Sequence, residues 1–355
     1  MSNNILFAIS SLDGGNAKIL SDIAVDQSKK NKIYVHVFGE QFRSVLLHHL
    51  KQYPNIKIHF DKKNMPKLIS LLIFLIKYRN YKFKKIISYD ALSNLYCFFY
   101  RYIFNTTWYS CIHGLEGAFT IRWKILNKFI IPKSHKCIVV SNAVKEKVLT
   151  SNFSKKENII TIYNGIDIKT SIPKRSFNQK YKIGMIANFY STRVKGHYIA
   201  IDAMKKLPEK FKLSIYGSGK YFNDIQNYIN KNNLSSRINL RGSVELEKIS
   251  NEILSMICLI APSSTESFGL SIVESMSNSV PVIANKVGGI PEIIEHKKNG
   301  ILISDINSNK LAREIEKLTN NPKENINLGE AAYSKVKTKF NKSIMLSKYD
   351  RIISI

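Results

Sequence analysis

The chain is short of acid, of proline and of cysteine, and each shortage narrows what it can be. Aspartate and glutamate number 26 against 54 lysines and arginines, a net charge of +28 at pH 7. Such an excess, spread over both halves, predicts attraction to something anionic: nucleic acid, phospholipid or a phosphorylated substrate. With only 9 prolines and a hydrophobic content of 44% the chain reads as globular, not disordered. The four cysteines, Cys97, Cys111, Cys137 and Cys258, sit in apolar runs without C-x-x-C spacing. They read as buried and reduced, which suits the cytoplasm. Long apolar runs are missing too. The longest, Leu68 to Ile76, is interrupted by Ser70 and falls far short of the roughly 20 residues that span a bilayer. The opening MSNNILFAIS has no basic n-region and no cleavage site, so no signal peptide is expected. No helix-turn-helix, zinc-ligand or RNA-binding signature supports a nucleic-acid partner. No D-x-D motif offers carboxylates to a divalent cation.

What is present is organised around Glu266-Ser267-Phe268-Gly269-Leu270-Ser271-Ile272-Val273-Glu274. The apolar run Met256 to Ala261 before it reads as a buried strand. Pro262 to Thr265 read as loop. From Gly269 the spacing turns helical, with Leu270, Val273, Met276 and Ser277 on one side. Glu266 thus sits in the loop and Glu274 about one turn into the helix. Free N–H groups at the helix start, around Phe268 to Ser271, can receive a diphosphate without a lysine. Gly269 lets a ligand approach the backbone. Each carboxylate can accept bonds from paired hydroxyls. The corner therefore suits a ligand built of hydroxyls, phosphate, hydroxyls; taken alone, a surface helix with two solvated glutamates reads as well.

The rest of the chain repeats one rhythm. Ile5 to Ile9 is a strand, Gly14-Gly15 a turn, and Ala17, Leu20, Ile23 and Ala24 mark a helix, the opening of a doubly wound sheet. Strands are expected at 33–38, 56–60, 85–89, 106–112 and 137–140. The strand at 106–112 ends at His113-Gly114-Leu115-Glu116-Gly117, where open sheets bind ligands, although a lone histidine is more often structural. Met65 to Lys85 joins an apolar helix to a basic, aromatic tail. That fits an anionic membrane surface and equally an ordinary crossover helix with a solvated end. Leu92 to Phe104 reads as a buried helix. Residues 168–180 read as a linker. The second half begins again with strands at 181–187, 211–216 and 238–242, then the Glu266 corner, then 280–285 and 301–303. At 355 residues the chain has room for two such domains.

Taken in order, ISSLDGGNAK, CIHG, CIVVSNAVKE, IYNGID, KGHYIAIDA, LSIYGSG, RINLRGSV, APSSTESFGLSIVESM, VPVIANKVGGIPEII and NGILI resemble the retaining family 4 glycosyltransferases (glycosyl transferases group 1). The two glutamates with seven residues between them, followed by VGGIPE, are the specific pieces. The resemblance implies the GT-B fold, two doubly wound Rossmann-like domains facing each other across a cleft. It implies an acceptor-binding domain over 1–170, a donor-binding domain over 171–340, and a helix over 341–355 packing back on the first domain. It also implies roles. Glu266 would lie against the donor sugar and Glu274 would hold the ribose hydroxyls. The Phe268, Gly269, Leu270 and Ser271 amides, with Ser267, would take sugar hydroxyls and diphosphate. Lys195 would pair with the diphosphate, Gly217, Arg241 and Gly242 would flank the base, and Gly14 and Gly15 would close over the phosphate. His113 would meet the sugar near the reacting carbon. Many members carry an arginine where this chain has Asn188; Arg193 could supply that charge from another loop position.

The expected reaction is retaining transfer of a hexose or N-acetylhexosamine from a nucleotide-sugar, first of all a UDP-sugar. The acceptor would be a glycan or lipid-linked molecule in lipopolysaccharide, O-antigen or capsule assembly. Neither a metal nor another cofactor is expected, and the setting would be cytoplasmic, peripheral on the inner face of the membrane. A nucleotide-sugar epimerase on the same fold is the rival enzyme. It would need a carboxylate set in the first domain, for which Asp61, Asp90 and Glu116 are the candidates. A non-catalytic basic membrane-surface or carbohydrate-binding protein is the rival without chemistry.

Overall fold

Strands that are apolar along their whole length, each followed by a helix, form parallel sheets buried on both faces, and both halves of the chain do so. A computed structural model describes residues 3–39, 45–62, 65–114, 127–175, 181–244 and 246–354. Two units separate: Met1–Gly165 with Ser343–Ile355, and Ile166–Lys342.

The N-terminal unit contains β1 (Asn4–Ile9), α1 (Gly14–Ser28), β2 (Lys32–Val37), α2 (Val45–Lys51) and β3 (Ile56–Phe60). It continues through α3 (Lys67–Tyr78), β4 (Lys85–Ser88), α4 (Ala91–Phe104) and β5 (Thr107–Ile112). It closes with β6 (Lys136–Val139), α5 (Asn142–Thr150) and β7 (Ile159–Thr161). Its seven strands lie in the order β3-β2-β1-β4-β5-β6-β7, with every pair parallel. The order reverses between β1 and β4, so the loops after these two strands diverge and leave a crevice at the carboxyl ends. One face of the sheet, with Leu6, Ala8, Tyr34, Ile86 and Trp108, is covered by Phe74 and Tyr78 of α3 and by Tyr96, Cys97 and Tyr100 of α4.

The C-terminal unit contains β8 (Lys182–Ile186), α6 (Thr192–Lys195), α7 (His197–Met204), β9 (Lys212–Tyr216), α8 (Phe222–Lys231) and β10 (Ile238–Gly242). There follow α9 (Leu246–Leu254), β11 (Cys258–Ala261), α10 (Leu270–Ser277), β12 (Val282–Asn285), α11 (Ile290–Ile293) and β13 (Ile301–Ile303). Two helices, α12 (Ser308–Asn320) and α13 (Pro322–Lys339), complete it. Its strand order, β10-β9-β8-β11-β12-β13, repeats the first with its own reversal, between β8 and β11. These two parallel sheets with their helices are the architecture of the GT-B fold.

The last helix, α14 (Lys342–Ser354), belongs to the N-terminal unit. Met345, Tyr349 and Ile353 are its buried stripe. The Lys85 ammonium donates to the Ile352 carbonyl at 2.8 Å, and Gln27 and Lys30 donate to Asp350 at 3.1 and 3.0 Å. The unit boundaries fall at 165/166 and 342/343, against the 170/171 and 340/341 expected.

Three readings of the sequence change. The linker expected over 168–180 contains an anchor: Arg175 donates to Asn325 Oδ1 at 2.6 Å and to the carbonyls of Met256 and Ile257. Burial pushes its guanidinium pKa down to about 10; residues 176–180 lie outside the described part. The C-terminal helical region, which the sequence pattern leads one to expect from Ala331, starts at Pro322, as α13. Its polar start and Gly329 hid it. Gly329 is there because α13 passes so close to Ser279 that a Cβ would lie 2.0 Å from its carbonyl oxygen. The helix expected to be buried over 92–104 leaves Phe99, Tyr102 and Ile103 exposed.

Candidate functional site

At the reversal in the C-terminal sheet, the loops after β8 and β11 meet. Lys195, at the end of α6, donates from Nζ to Glu266 Oε2 at 2.8 Å. Both side chains keep some exposure, 26% and 18%, so the pair is open to a ligand. Backbone contacts fix the loops beneath it. The Ser264 N–H donates to the Val194 carbonyl at 2.8 Å, and Asn285, buried at the end of β12, donates from Nδ2 to the Ser263 carbonyl at 2.9 Å. The VGGIPE loop holds Glu266 from the other side. The Gly289 N–H donates to the Glu266 carbonyl at 2.9 Å. Gly288, at φ +52°, passes so near that a Cβ would stand 1.9 Å from that oxygen.

Gly269 opens α10 at φ +109°, a conformation that favours glycine. Its carbonyl accepts from the Ile272 and Val273 amides at 3.0 and 3.2 Å. The earlier amides, of Leu270 and Ser271, have no acceptor within the helix, and they point where the helix dipole favours an anion. Phe268 is buried and meets the Phe340 ring edge-on at 5.6 Å, so only its backbone can serve a ligand. Ser267, Leu270, Ser271 and Glu274 are half-buried, the last one turn into α10.

The other expected donor residues are placed as follows. Gly217 and Gly219 pack against the loop after β8, where Cβ atoms would lie 2.2 Å from the Ala187 carbonyl oxygen and 2.5 Å from the Phe189 carbonyl carbon. The Gly217 N–H donates to the Gly242 carbonyl at 2.9 Å, so these turns form one continuous wall. Arg241 points to Glu252, with Nη2 3.5 Å from Oε1. Glu252, which sequence reading missed, also accepts from Lys182 and from the Tyr216 hydroxyl, both at 2.7 Å. The bonds from Lys182 and Tyr216 hold its carboxyl below its ordinary pKa. Asn188 and Arg193 are both exposed, Arg193 on α6 two residues before Lys195.

In the N-terminal unit the crevice is lined by glycine and histidine. Gly14, at φ +78°, and Gly15 open α1 and are exposed, and no atom of the described residues comes within 4 Å of where a Gly14 Cβ would stand. His113 follows β5, stacked on Tyr89 with centroids 5.3 Å apart. Neither ring nitrogen has a partner among the described residues; Leu115, Glu116 and Gly117 lie outside them. Burial pushes the His113 pKa down to about 4, so the ring is neutral at pH 7 and can bond a hydroxyl with either nitrogen. The unfolded chain, with an ordinary histidine pKa, takes up this proton first. The contribution is therefore present above pH 6.5 and is lost as pH falls toward about 4, by about 3 kcal/mol at most. His113→Gln is expected to show a shallower fall over that window, read as the urea midpoint against pH; an unchanged slope would put the proton elsewhere.

Two carboxylates of this unit are already employed. Asp90 accepts from Ser10 N and Oγ, at 2.6 and 2.8 Å, and from Ser93 N at 2.9 Å, which caps α4 and ties β1 to β4. Asp61 accepts from Ser70 and lies 3.1 Å from His36 Nε2. Among the described residues no three His, Cys, Asp or Glu gather to hold a metal.

A cavity of about 860 Å³ lies elsewhere, lined by Lys182, Lys212, Arg237 and neighbours at the amino ends of β8, β9 and β10. Its cations are committed: Lys182 to Glu252, Lys210 over the Tyr181 ring, Lys212 to the Ser236 carbonyl, and Arg237 to the Leu207, Pro208 and Phe211 carbonyls. Site chemistry in such folds belongs at the carboxyl ends, so volume is a poor guide here.

Residues 167–335 match the model of the family described as glycosyl transferases group 1. An uncharacterized glycosyltransferase of Methanocaldococcus jannaschii is 34% identical over 222 residues, which cover 62% of this chain and 60% of that protein. The match thus spans less than two thirds of that relative's length. A 41.2 kDa protein in the cps region of Klebsiella pneumoniae is 25% identical over 379 aligned positions, covering 98% of this chain and 99% of that one. The crystal structure of HepE from Anabaena, in complex with UDP and glucose, covers 99% of both chains with a TM-score of 0.87 at 20% identity, a likeness of fold.

Proposed function

We propose, since residues 167–335 match the model of the glycosyl transferases group 1 family, that the chain is a retaining glycosyltransferase. It moves a hexose or N-acetylhexosamine from a UDP-sugar to a glycan or lipid-linked acceptor of a bacterial surface polysaccharide. The observation that carries the reading is the Lys195–Glu266 pair, 2.8 Å apart, beside the opening of α10. A cation, a carboxylate and the Leu270 and Ser271 amides, which have no acceptor within the helix, converge there as a sugar diphosphate requires. The choice of UDP follows the Anabaena neighbour, whose structure holds UDP and glucose. The choice of surface polysaccharide follows the cps-region relative and a poly(ribitol-phosphate) N-acetylglucosaminyltransferase of Staphylococcus aureus, 29% identical over 238 residues.

The bond between the anomeric carbon and the diphosphate breaks, and its electron pair stays on the phosphate. Lys195, Arg193 and the amides of Leu270 and Ser271 stabilise that developing charge. Glu266 meets the sugar, Glu274 the ribose, and neutral His113 a sugar hydroxyl. The acceptor oxygen bonds to the anomeric carbon and its proton passes to the leaving phosphate, so no protein base is assigned. The fixed charges take the place of a divalent cation. The epimerase reading is disfavoured because Asp61 and Asp90 are bound into structural contacts; Glu116 lies outside the described residues.

Thermal denaturation with a panel of UDP-, GDP- and ADP-sugars tests both the donor and the metal assignment. UDP-sugars at about 100 times their dissociation constant are expected to stabilise the chain by roughly 2.7 kcal/mol, with EDTA present or absent. Loss of the shift in EDTA would overturn the metal-free assignment. No shift with any sugar would overturn the donor site.

A further inference from the structure

Helix α3 is attached to its unit by a narrow stripe. Ser70, Phe74 and Tyr78, spaced four apart, are its buried residues. Each is locked. Ser70 donates to Asp61, the Phe74 ring meets Tyr96 and Tyr100 edge-on, and the Tyr78 hydroxyl lies 3.1 Å from His36 Nδ1 and 2.8 Å from His59 Nδ1. Polar bonds to both ends of the stripe fix the helix against rolling, since any rotation would break them in a buried place.

Leu71 and Leu75 flank the stripe, half-buried against the same core; the other apolar residues of the helix face solvent. Leu68, Leu72 and Ile76 are 70%, 51% and 59% exposed, and Ile69 and Ile73 are exposed as well. The adjoining α4 adds exposed Phe99, Tyr102 and Ile103. Eight large apolar side chains on two adjacent helices are left without a role in the core. A crossover helix of an α/β sheet needs one apolar face; this one has a second.

The charge around that face is of one sign. Lys67 precedes it and Lys77, Arg79, Lys82 and Lys84 follow, all exposed. No aspartate or glutamate occurs from residue 62 to residue 89, and the two that bound the segment, Asp61 and Asp90, are turned into hydrogen bonds of the fold. No helix among the described residues is long and apolar enough to cross a membrane. A short apolar face edged with cations suits the boundary between headgroups and acyl chains.

We propose that the exposed face of α3, extended by α4, docks the chain on a bilayer surface containing anionic phospholipid, with Leu68, Leu72 and Ile76 inserted and Arg79, Lys82 and Lys84 at the headgroups. The inference stands on this face alone and holds whatever the chain transfers. Flotation of the full chain with vesicles tests it, using an equimolar mixture of phosphatidylglycerol and phosphatidylcholine beside phosphatidylcholine alone. Binding is expected to the mixed vesicles, and to weaken with salt. Leu68→Gln/Leu72→Gln/Ile76→Gln should bind at least about tenfold more weakly with a nearly unchanged melting temperature, since these side chains are exposed and outside the core cluster. Arg79→Gln/Lys82→Gln/Lys84→Gln should lose about fivefold per charge on mixed vesicles and nothing on neutral ones. Equal binding of wild type and the leucine variant, or no binding by either, would overturn the proposal. So would a wild-type dimer in sedimentation that the leucine variant breaks, because the face would then belong to a second copy.

Discussion

Lys195→Met is expected to lower kcat by about 10²–10³-fold, the cost of removing one preorganised charge from a developing anion. Lys195 sits at the end of α6, and its ammonium is turned toward the crevice by Glu266 at 2.8 Å. The methionine keeps most of the stem and removes only the charge. Donor KM should rise less than kcat falls, because the ground-state diphosphate also has the amides at the head of α10, whereas the extra charge appears only as the bond breaks. Stability should hardly change: a partly exposed ion pair is worth at most about 1 kcal/mol. A competing role is that Lys195 merely positions Glu266. The double variant Lys195→Met/Glu266→Gln separates the two. If Lys195 acts only through Glu266, the double variant is no slower than Glu266→Gln alone; if each touches the donor, the losses compound. A Lys195→Met enzyme with wild-type kcat would remove the lysine from the leaving-group site altogether.

Much of the fold was legible because a parallel sheet buried on both faces writes itself as short apolar runs. IYVHVF and MICLIA need no partner sequence to be read as strands. The Glu266 corner was legible for the same reason: a strand, a polar loop and a glycine before a helical pattern are local features. What stayed hidden depends on contacts far apart in the chain. Nothing around Glu252 marks it, yet it gathers Lys182, Tyr216 and Arg241 from three strands. Asn285 looks like any strand-terminal asparagine until its amide is seen on the Ser263 carbonyl. Arg175 sits in a stretch whose composition reads as linker, and only its three buried acceptors show it to be an anchor. The face of α3 was half legible. Its apolarity and basic tail were visible, but which side faced the sheet was decided by Ser70 and Tyr78, polar residues whose partners lie on β2 and just after β3.

Gly288→Ala should be the most damaging single methyl in the chain's C-terminal unit. Two independent penalties coincide there. At φ +52° an alanine adopts the left-handed region, which costs roughly 1–2 kcal/mol. Its Cβ would also stand 1.9 Å from the Glu266 carbonyl oxygen and 2.9 Å from the carbonyl carbon. These are backbone atoms, so no side-chain rotation relieves the clash, and either the VGGIPE loop or the Glu266 loop must move. Movement of the former stretches the Gly289 to Glu266 hydrogen bond of 2.9 Å; movement of the latter carries Glu266 away from Lys195. Destabilisation of about 2–4 kcal/mol is expected, with a loss of about 10²-fold in kcat from displacement near 1 Å. Gly14→Ala supplies the comparison for stability. Its φ of +78° carries similar strain, but no atom of the described residues lies within 4 Å of its Cβ position, so only the conformational cost should appear in the denaturation midpoint. If the two variants unfold at the same denaturant concentration, the close approach of Gly288 to Glu266 adds nothing. If Gly288→Ala is destabilised yet keeps wild-type kcat, the loop supports the fold without positioning the carboxylate. Destabilisation beyond that of Gly14→Ala, together with slow transfer, is the result that places the second glycine-rich loop in the catalytic apparatus through the backbone of Glu266.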